Sequence, residues 1–199
     1  MSPRASLRRA LRLWPWLAVL LVVGLVVGLG GFERRTDALR LAALGAEIDS
    51  NNLVFTLTGA TLQARPGLDG ATEWKVEVGG TVRNPNEEAL APVLGPSGNF
   101  ILHDAPSRLT AEPETVTLGV SSRRYLVPPG NTAMPLTIDF TLPADYAPQE
   151  GIEIAVAPME HTANTVLGLG DGELVWNLDS YAAVSLVQLP LTRLPDVPR

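Results

Sequence analysis

The chain has 199 residues, 46% of them hydrophobic and none of them cysteine. It has material for one ordinary domain plus an accessory segment, and disulfides, thiolate metal sites and a cysteine nucleophile are excluded. Four of its 15 basic residues (Arg4, Arg8, Arg9 and Arg12) precede residue 33, where there is no acid, so residues 33–199 hold 11 basic and 21 acidic groups, a formal net charge of −10, which argues against nucleic acid or anionic lipid as partner.

The basic N-terminus, residues 1–12, leads into an uncharged stretch from Leu13 to Phe32. As a helix those residues span roughly 30 Å, the thickness of a bilayer core. Trp14 and Trp16 lie at its start, where indoles favour the headgroup zone. The four arginines predict a cytoplasmic N-terminus and residues 33–199 on the outer side of the membrane, a positive-inside arrangement that Arg34 and Arg35 weaken and Glu33 and Asp37 partly restore. The expectation is an uncleaved signal anchor over 13–32. A cleaved signal peptide is the rival, with Gly28-Leu29-Gly30 offering small residues at a cleavage-like spacing. Gly24 and Gly28 form a G-x-x-x-G pair, a candidate helix–helix contact, although glycine is common in apolar spans.

Residues 33–46 read as a juxtamembrane segment. Within it Thr36–Ala46 has Leu39, Leu41 and Leu44 at mixed spacing before Gly45, equally compatible with a short helix and with an ordered spacer. Beyond Asp49 the pattern has period two. Leu53, Phe55 and Leu57 alternate with Val54, Thr56 and Thr58; Trp74, Val76, Val78 and Val82 oppose Lys75, Glu77 and Thr81, with Gly80 predicted to mark a bulge. Asn84-Pro85-Asn86 ends that run. Further strands are predicted at Phe100–Leu102, at Val116, Leu118 and Val120 against Thr115 and Thr117, at Leu136–Leu142 and at Ile152–Val156. Thr165–Leu167, Leu174–Trp176 and Ala182–Leu189 follow, the last presenting Ala182, Val184 and Leu186 on one face. Pro128-Pro129-Gly130 and Gly170-Asp171-Gly172 read as turns. Short alternating runs between Gly, Pro and Asn turns predict an all-β sandwich over 47–189. The proline-rich tail, 190–199, is expected to be extended and loosely held.

Ile48, Trp74-Lys75-Val76-Glu77-Val78, Thr81-Val82-Arg83-Asn84, Val127-Pro128-Pro129-Gly130 and the run Ile138–Pro143 together resemble uncharacterised membrane-anchored proteins of actinobacteria with immunoglobulin-like domains. The use of 14 Arg to one Lys suits a GC-rich genome. The resemblance covers most of residues 48–190 and implies an immunoglobulin-like antiparallel sandwich outside the membrane. It implies no activity and no functional residues.

Candidate chemistry is sparse. His103 beside Asp104 and His161 after Glu160 could form a two-His, two-acid metal site, but neither H-x-x-x-H nor H-E-x-x-H spacing occurs, and solvated loop histidines are the expectation. Gly168-Leu169-Gly170-Asp171-Gly172 precedes a strand-like run, so it reads as a hairpin turn and not a phosphate loop. Ser97, within Gly95-Pro96-Ser97-Gly98, lacks a nucleophile elbow. Ser121-Ser122 reads as a polar strand connection. Glu87-Glu88, with Asp139, Asp145, Glu150 and Glu153, could serve glycoside chemistry or calcium, but no calcium-loop pattern accompanies them. Trp74 and Trp176 are expected in the core. Arg123-Arg124-Tyr125 is the one basic–aromatic spot beyond the anchor and a candidate partner contact.

The sequence thus predicts a non-enzymatic, single-pass membrane protein with no cofactor, no metal and no nucleic-acid partner. Its outward β-sandwich is expected to bind or scaffold an envelope or membrane protein. The alternative is a small-ligand or cell-wall-polymer binding module, which would place tryptophan on a surface or in a pocket.

Overall fold

In the computed structural model the described residues are 39–67, 71–95, 98–119, 126–163 and 174–196. The chain divides between Thr36 and Asp37, and every described residue belongs to the second unit. The expected anchor at 13–32, with Gly24 and Gly28, lies outside the described residues. Among the described residues no helix is long and apolar enough to cross a membrane.

The described residues form twelve strands: β1 (Arg40–Ala42), β2 (Glu47–Asp49), β3 (Val54–Pro66), β4 (Thr72–Arg83), β5 (Phe100–Asp104), β6 (Leu109–Ala111), β7 (Thr115–Leu118), β8 (Met134–Leu142), β9 (Gly151–Val156), β10 (Met159–Ala163), β11 (Leu174–Leu178) and β12 (Ser185–Arg193). Ten belong to one sheet, eight of them along the hydrogen-bonded path β6-β5-β9-β12-β3-β4-β8-β7, with β1 on β12 and β2 on β3 off that path. The turning point is β12. Its first part, Ser185–Pro190, runs antiparallel to β9 and its opening residues parallel to β1. Leu191–Arg193 then pair parallel with Ala60–Leu62 of β3. Pro190, which has no N–H to donate, sits at this handover from one layer to the other.

The two layers enclose one core. Phe55, Leu57, Leu62, Val76, Val78, Leu136, Ile138, Phe140 and Leu142 from one side meet Phe100, Leu102, Ile152, Ile154, Val156, Val187 and Leu189 from the other. Phe55 and Phe100 touch edge to face, with ring centroids 4.7 Å apart. Burying each such side chain contributes about 1.5–3 kcal/mol. This is the all-β sandwich that period-two alternation predicted.

Of the two readings of Thr36–Ala46, its described residues fit the ordered spacer and not the helix: Arg40–Ala42 is a strand and Gly45, at φ 75°, turns the chain into β2. Three details differ from the sequence reading. The irregularity between β3 and β4 falls at Thr58, the extra residue between the Leu57–Gly80 and Gly59–Gly79 pairs. Gly80 lies opposite it, where a Cβ would sit 2.2 Å from the Thr56 carbonyl oxygen. β12 begins at Ser185, later than the predicted strand, and the face it turns to the core carries Val187 and Leu189, opposite the buried Ile154 and Ile152 of β9, while Leu186 pairs with Ala155. The proline-rich segment begins inside β12, and Leu194 N–H still donates to the Leu62 carbonyl at 2.8 Å.

Candidate functional site

Asparagine fixes one end of the sandwich. Asn52, Asn84 and Asn99 are fully buried, although each stands beside a strand end. A buried primary amide is costly unless its donors and acceptors are met. Here they meet one another and the backbone. Asn99 Nδ2 donates to Asn52 Oδ1 at 3.2 Å and to Ser50 Oγ at 3.3 Å, while its Oδ1 accepts from the Val93 N–H at 2.7 Å. Asn84 Nδ2 donates to the Glu88 and Val127 carbonyls at 2.6 and 3.0 Å. Asn86 Nδ2 donates to the Asn52 carbonyl at 2.6 Å. These side chains stand in for the backbone partners that turns lack.

The same residues hold the β10–β11 hairpin. The Met159 N–H donates to the Ser50 carbonyl at 2.9 Å, and Asn51 Nδ2 donates to the Met159 carbonyl at 2.9 Å. Asn51 takes the left-handed conformation, φ 67°, which asparagine tolerates better than most residues. The loop after β4 and the root of the hairpin are thus pinned to a common polar block.

Between them lies an open cleft of about 390 Å³, lined by Asn86, Glu87, Glu88, Leu90, His161, Leu174 and Trp176. Met159–Ala163 pairs antiparallel with Leu174–Leu178, which sets His161 directly opposite Trp176. Their rings stack, centroids 4.8 Å apart and 14° from parallel. Leu90 is tied to Val127 by a pair of backbone hydrogen bonds of 3.1 and 2.7 Å. Leu174 is 56% exposed. Glu87 and Glu88 are exposed, and no described residue forms an ion pair with either. The lining therefore combines two carboxylates with no described ion-pair partner, an aromatic stack and two leucines.

The structure corrects the expectation for Trp176. It is half-buried on a two-stranded sheet and takes no part in the core cluster, because no second layer covers that sheet among the described residues. Trp74 is also half-buried, but it packs against the core, with the Arg193 guanidinium 4.9 Å over its ring. Neither histidine is a loop residue. His103 belongs to β5 and faces Glu153 of β9, with Nδ1 2.9 Å from Oε2, beside a smaller cleft of about 190 Å³ that includes Asp104, Gln149 and Gln188. The two histidines lie on separate sheets, and no group of three or more His, Asp or Glu is placed to hold a metal among the described residues. Arg123, Arg124 and Tyr125 lie outside the described residues, as do Ser97, Ser121, Ser122 and the segment Gly168–Gly172. The buried asparagines escaped the sequence reading, in which Asn84 and Asn86 served only to end a strand.

Two titrating groups outside the cleft are displaced from their ordinary values. The Glu114 carboxyl is held low, chiefly by the hydrogen bond from Thr141 and then by the nearby Arg65 charge, against an opposing effect of burial. Burial, followed by the Asp104 charge, pushes the Tyr146 hydroxyl up.

No protein-family model matches the chain, and no curated protein matches it. A solved structure that it resembles is an uncharacterized β-sandwich protein from Clostridium difficile 630, at 6% identity and a TM-score of 0.45, over 78% of this chain and 97% of that one.

Proposed function

We propose that the chain is a non-enzymatic, single-pass membrane protein, anchored by residues 13–32 with its N-terminus in the cytoplasm. Its outward immunoglobulin-like sandwich binds an envelope or membrane protein at the loop-and-hairpin end. The observation that carries this reading is the open cleft between the asparagine-pinned loop and the β10–β11 hairpin. A rigid sandwich presenting loops and a hairpin suits capture of a neighbour, and anchoring confines the search to the membrane surface.

The test places a photoreactive amino acid at Leu174 and crosslinks in intact cells. Recurrent capture of one or a few envelope proteins is expected, together with retention of the full-length chain in carbonate-washed membranes. Recovery of a soluble form starting near Gly31 would sink the anchor, and no specific capture would sink the docking role. Replacing both His103 and His161 with Gln tests the non-catalytic part. Loss of function with undiminished capture and an unchanged melting temperature would point to chemistry instead.

A second reading, binding of a small ligand or wall polymer, draws on Trp176, which lines a cleft of small-molecule size instead of filling the core. Retention of the chain on a wall-polymer resin, abolished by Trp176→Ala, would favour it.

A further inference from the structure

We infer that the cleft beside the β10–β11 hairpin takes a guanidinium group, an arginine side chain presented by the partner protein, between the Glu87 and Glu88 carboxylates and the His161–Trp176 stack. This rests on the docking role proposed above and gives it a chemistry.

The first argument is the set of groups around the opening. Glu87 and Glu88 offer four carboxylate oxygens with no ion-pair partner among the described residues. Asn86 has its amide nitrogen committed to the Asn52 carbonyl and Asn84 Oδ1, while no described group donates to its Oδ1. An acceptor-rich opening calls for a donor-rich ligand, and guanidinium carries five N–H donors and no acceptor. Among the described residues no Lys or Arg lines the cleft, so its two carboxylates favour a cationic ligand over an anionic one.

The second argument is the aromatic wall. A guanidinium plane stacks favourably on indole, and its three-carbon stem can lie along apolar neighbours such as Leu90 and Leu174. The chain uses this pairing internally, where Arg193 lies 4.9 Å over the ring of Trp74. That arginine also reaches Asp196, with Nη2 3.6 Å from Oδ1, so indole and carboxylate already share one guanidinium on this protein. The cleft repeats the two elements, and no described residue supplies the cation. Several of the chain's own cations are committed elsewhere: Arg65 to Glu73 and Glu114, Lys75 to Asp139, Arg83 to Glu47.

The third argument is the field. With a net charge of −10 over residues 33–199, the outward portion of the chain attracts a basic segment before contact is made.

The experiment uses the full-length chain in nanodiscs and a fluorescein-labelled peptide, Gly-Ser-Arg-Arg-Ser-Gly, read by anisotropy at fixed salt. Saturable binding is expected, with the same peptide carrying citrulline, neutral but nearly isosteric, weaker by about tenfold or more. The double variant Glu87→Gln/Glu88→Gln and the single variant Trp176→Ala should each lose about tenfold. The charge-matched variant Glu112→Gln/Glu150→Gln, with both residues exposed and outside the cleft, should lose no more than about twofold, the size expected of distant surface charge. An unchanged circular dichroism melt certifies that each variant is folded.

Equal affinity for the citrulline peptide overturns the proposal. So does an equal loss in the charge-matched variant, or displacement by a chitin tetramer of a probe that ignores Glu87→Gln/Glu88→Gln. Crosslinking from Leu174 separates this proposal from the docking role. Equal capture of a partner by parent and Glu87→Gln/Glu88→Gln chains removes the arginine and leaves docking intact. Arginine-specific peptide binding with no protein captured in cells leaves the cleft chemistry and removes the docking role.

Discussion

The two-layer core and the β10–β11 hairpin use the same alternating pattern and arrive at different surfaces. In β8, Met134, Leu136, Ile138, Phe140 and Leu142 are all buried, and in β9 so are Ile152, Ile154 and Val156. In β11, Leu174 is exposed and Val175 and Trp176 are half-buried, although the run is just as apolar. The core strands each face an opposing layer, whereas the hairpin forms a two-stranded sheet of its own. An isolated hairpin is marginal in water, and this one is held at its root by Ser50, Asn51 and the Asp179 N–H bond to the Pro158 carbonyl. Alternation therefore says which side chains share a face. Burial requires something on the other side of it.

The sharpest way to break this comparison is to cut into the core. Phe100→Ala removes a fully buried ring in contact with Phe55 and should cost about 3–5 kcal/mol, a large part of the roughly 5–15 kcal/mol that stabilises a domain. Thermal and urea melts of the full chain should show a lower midpoint in both. A parent-like melt would mean that the two layers do not share a core.

Next in size is the polar block. Asn99→Ala strands the Val93 N–H and the Asn52 amide, and leaving such buried groups unpaired costs about 1–3 kcal/mol each. Hydrogen exchange should quicken at Val93 and in the 84–93 loop before it changes in β8. Uniform acceleration across all strands would show that the asparagines support the fold as a whole and not the cleft.

Trp176→Ala should then cost less stability than Phe100→Ala, since Trp176 is only partly buried and takes no part in the core cluster. Its effect should fall on binding at the cleft. A fall in stability as large as that of Phe100→Ala would place Trp176 functionally in the core, as alternation alone suggested.

The smallest effect is electrostatic. Thr141 Oγ1 donates to Glu114 Oε2 at 2.7 Å and Arg65 lies 3.3 Å away, so the folded carboxyl sits below its ordinary value of 4.5. A depressed carboxylate contributes stability that is complete above the unfolded value and is lost as pH falls through the folded one. Glu114 is more than half exposed, so solvent screens most of this. Stability measured from neutral pH downward should fall slightly less steeply in Glu114→Gln. Superimposable profiles would assign the acid sensitivity to other carboxylates.

Much of the fold was legible because strand pleating has the same period as the residue alternation. Val76, Val78, Val82, Leu136 to Leu142 and Ile152 to Val156 could be given to the core face from the chain alone. β12 was harder. Alternation leaves open which of two faces is buried, and the choice of Val187 and Leu189 comes from pairing with β9 and β1. The bulge at Thr58 was likewise displaced onto its cross-strand neighbour Gly80. Of the cleft, the acidic pair, the histidine and the tryptophan were each visible, but nothing in the chain order joined them.

Local chemistry settled what depends on neighbours in sequence. That includes the uncharged run Leu13–Phe32 with its arginine flank, the absence of cysteine, the alternating strands and the turns between them. Tertiary structure alone decided what depends on closure of long loops. Asn52 meets Asn99 across 47 residues and Asn51 meets Met159 across 108. Only that closure brings Glu87 and Glu88 to the hairpin and leaves Trp176 at the surface, because a side chain's burial is set by the layer folded over it and not by its own strand.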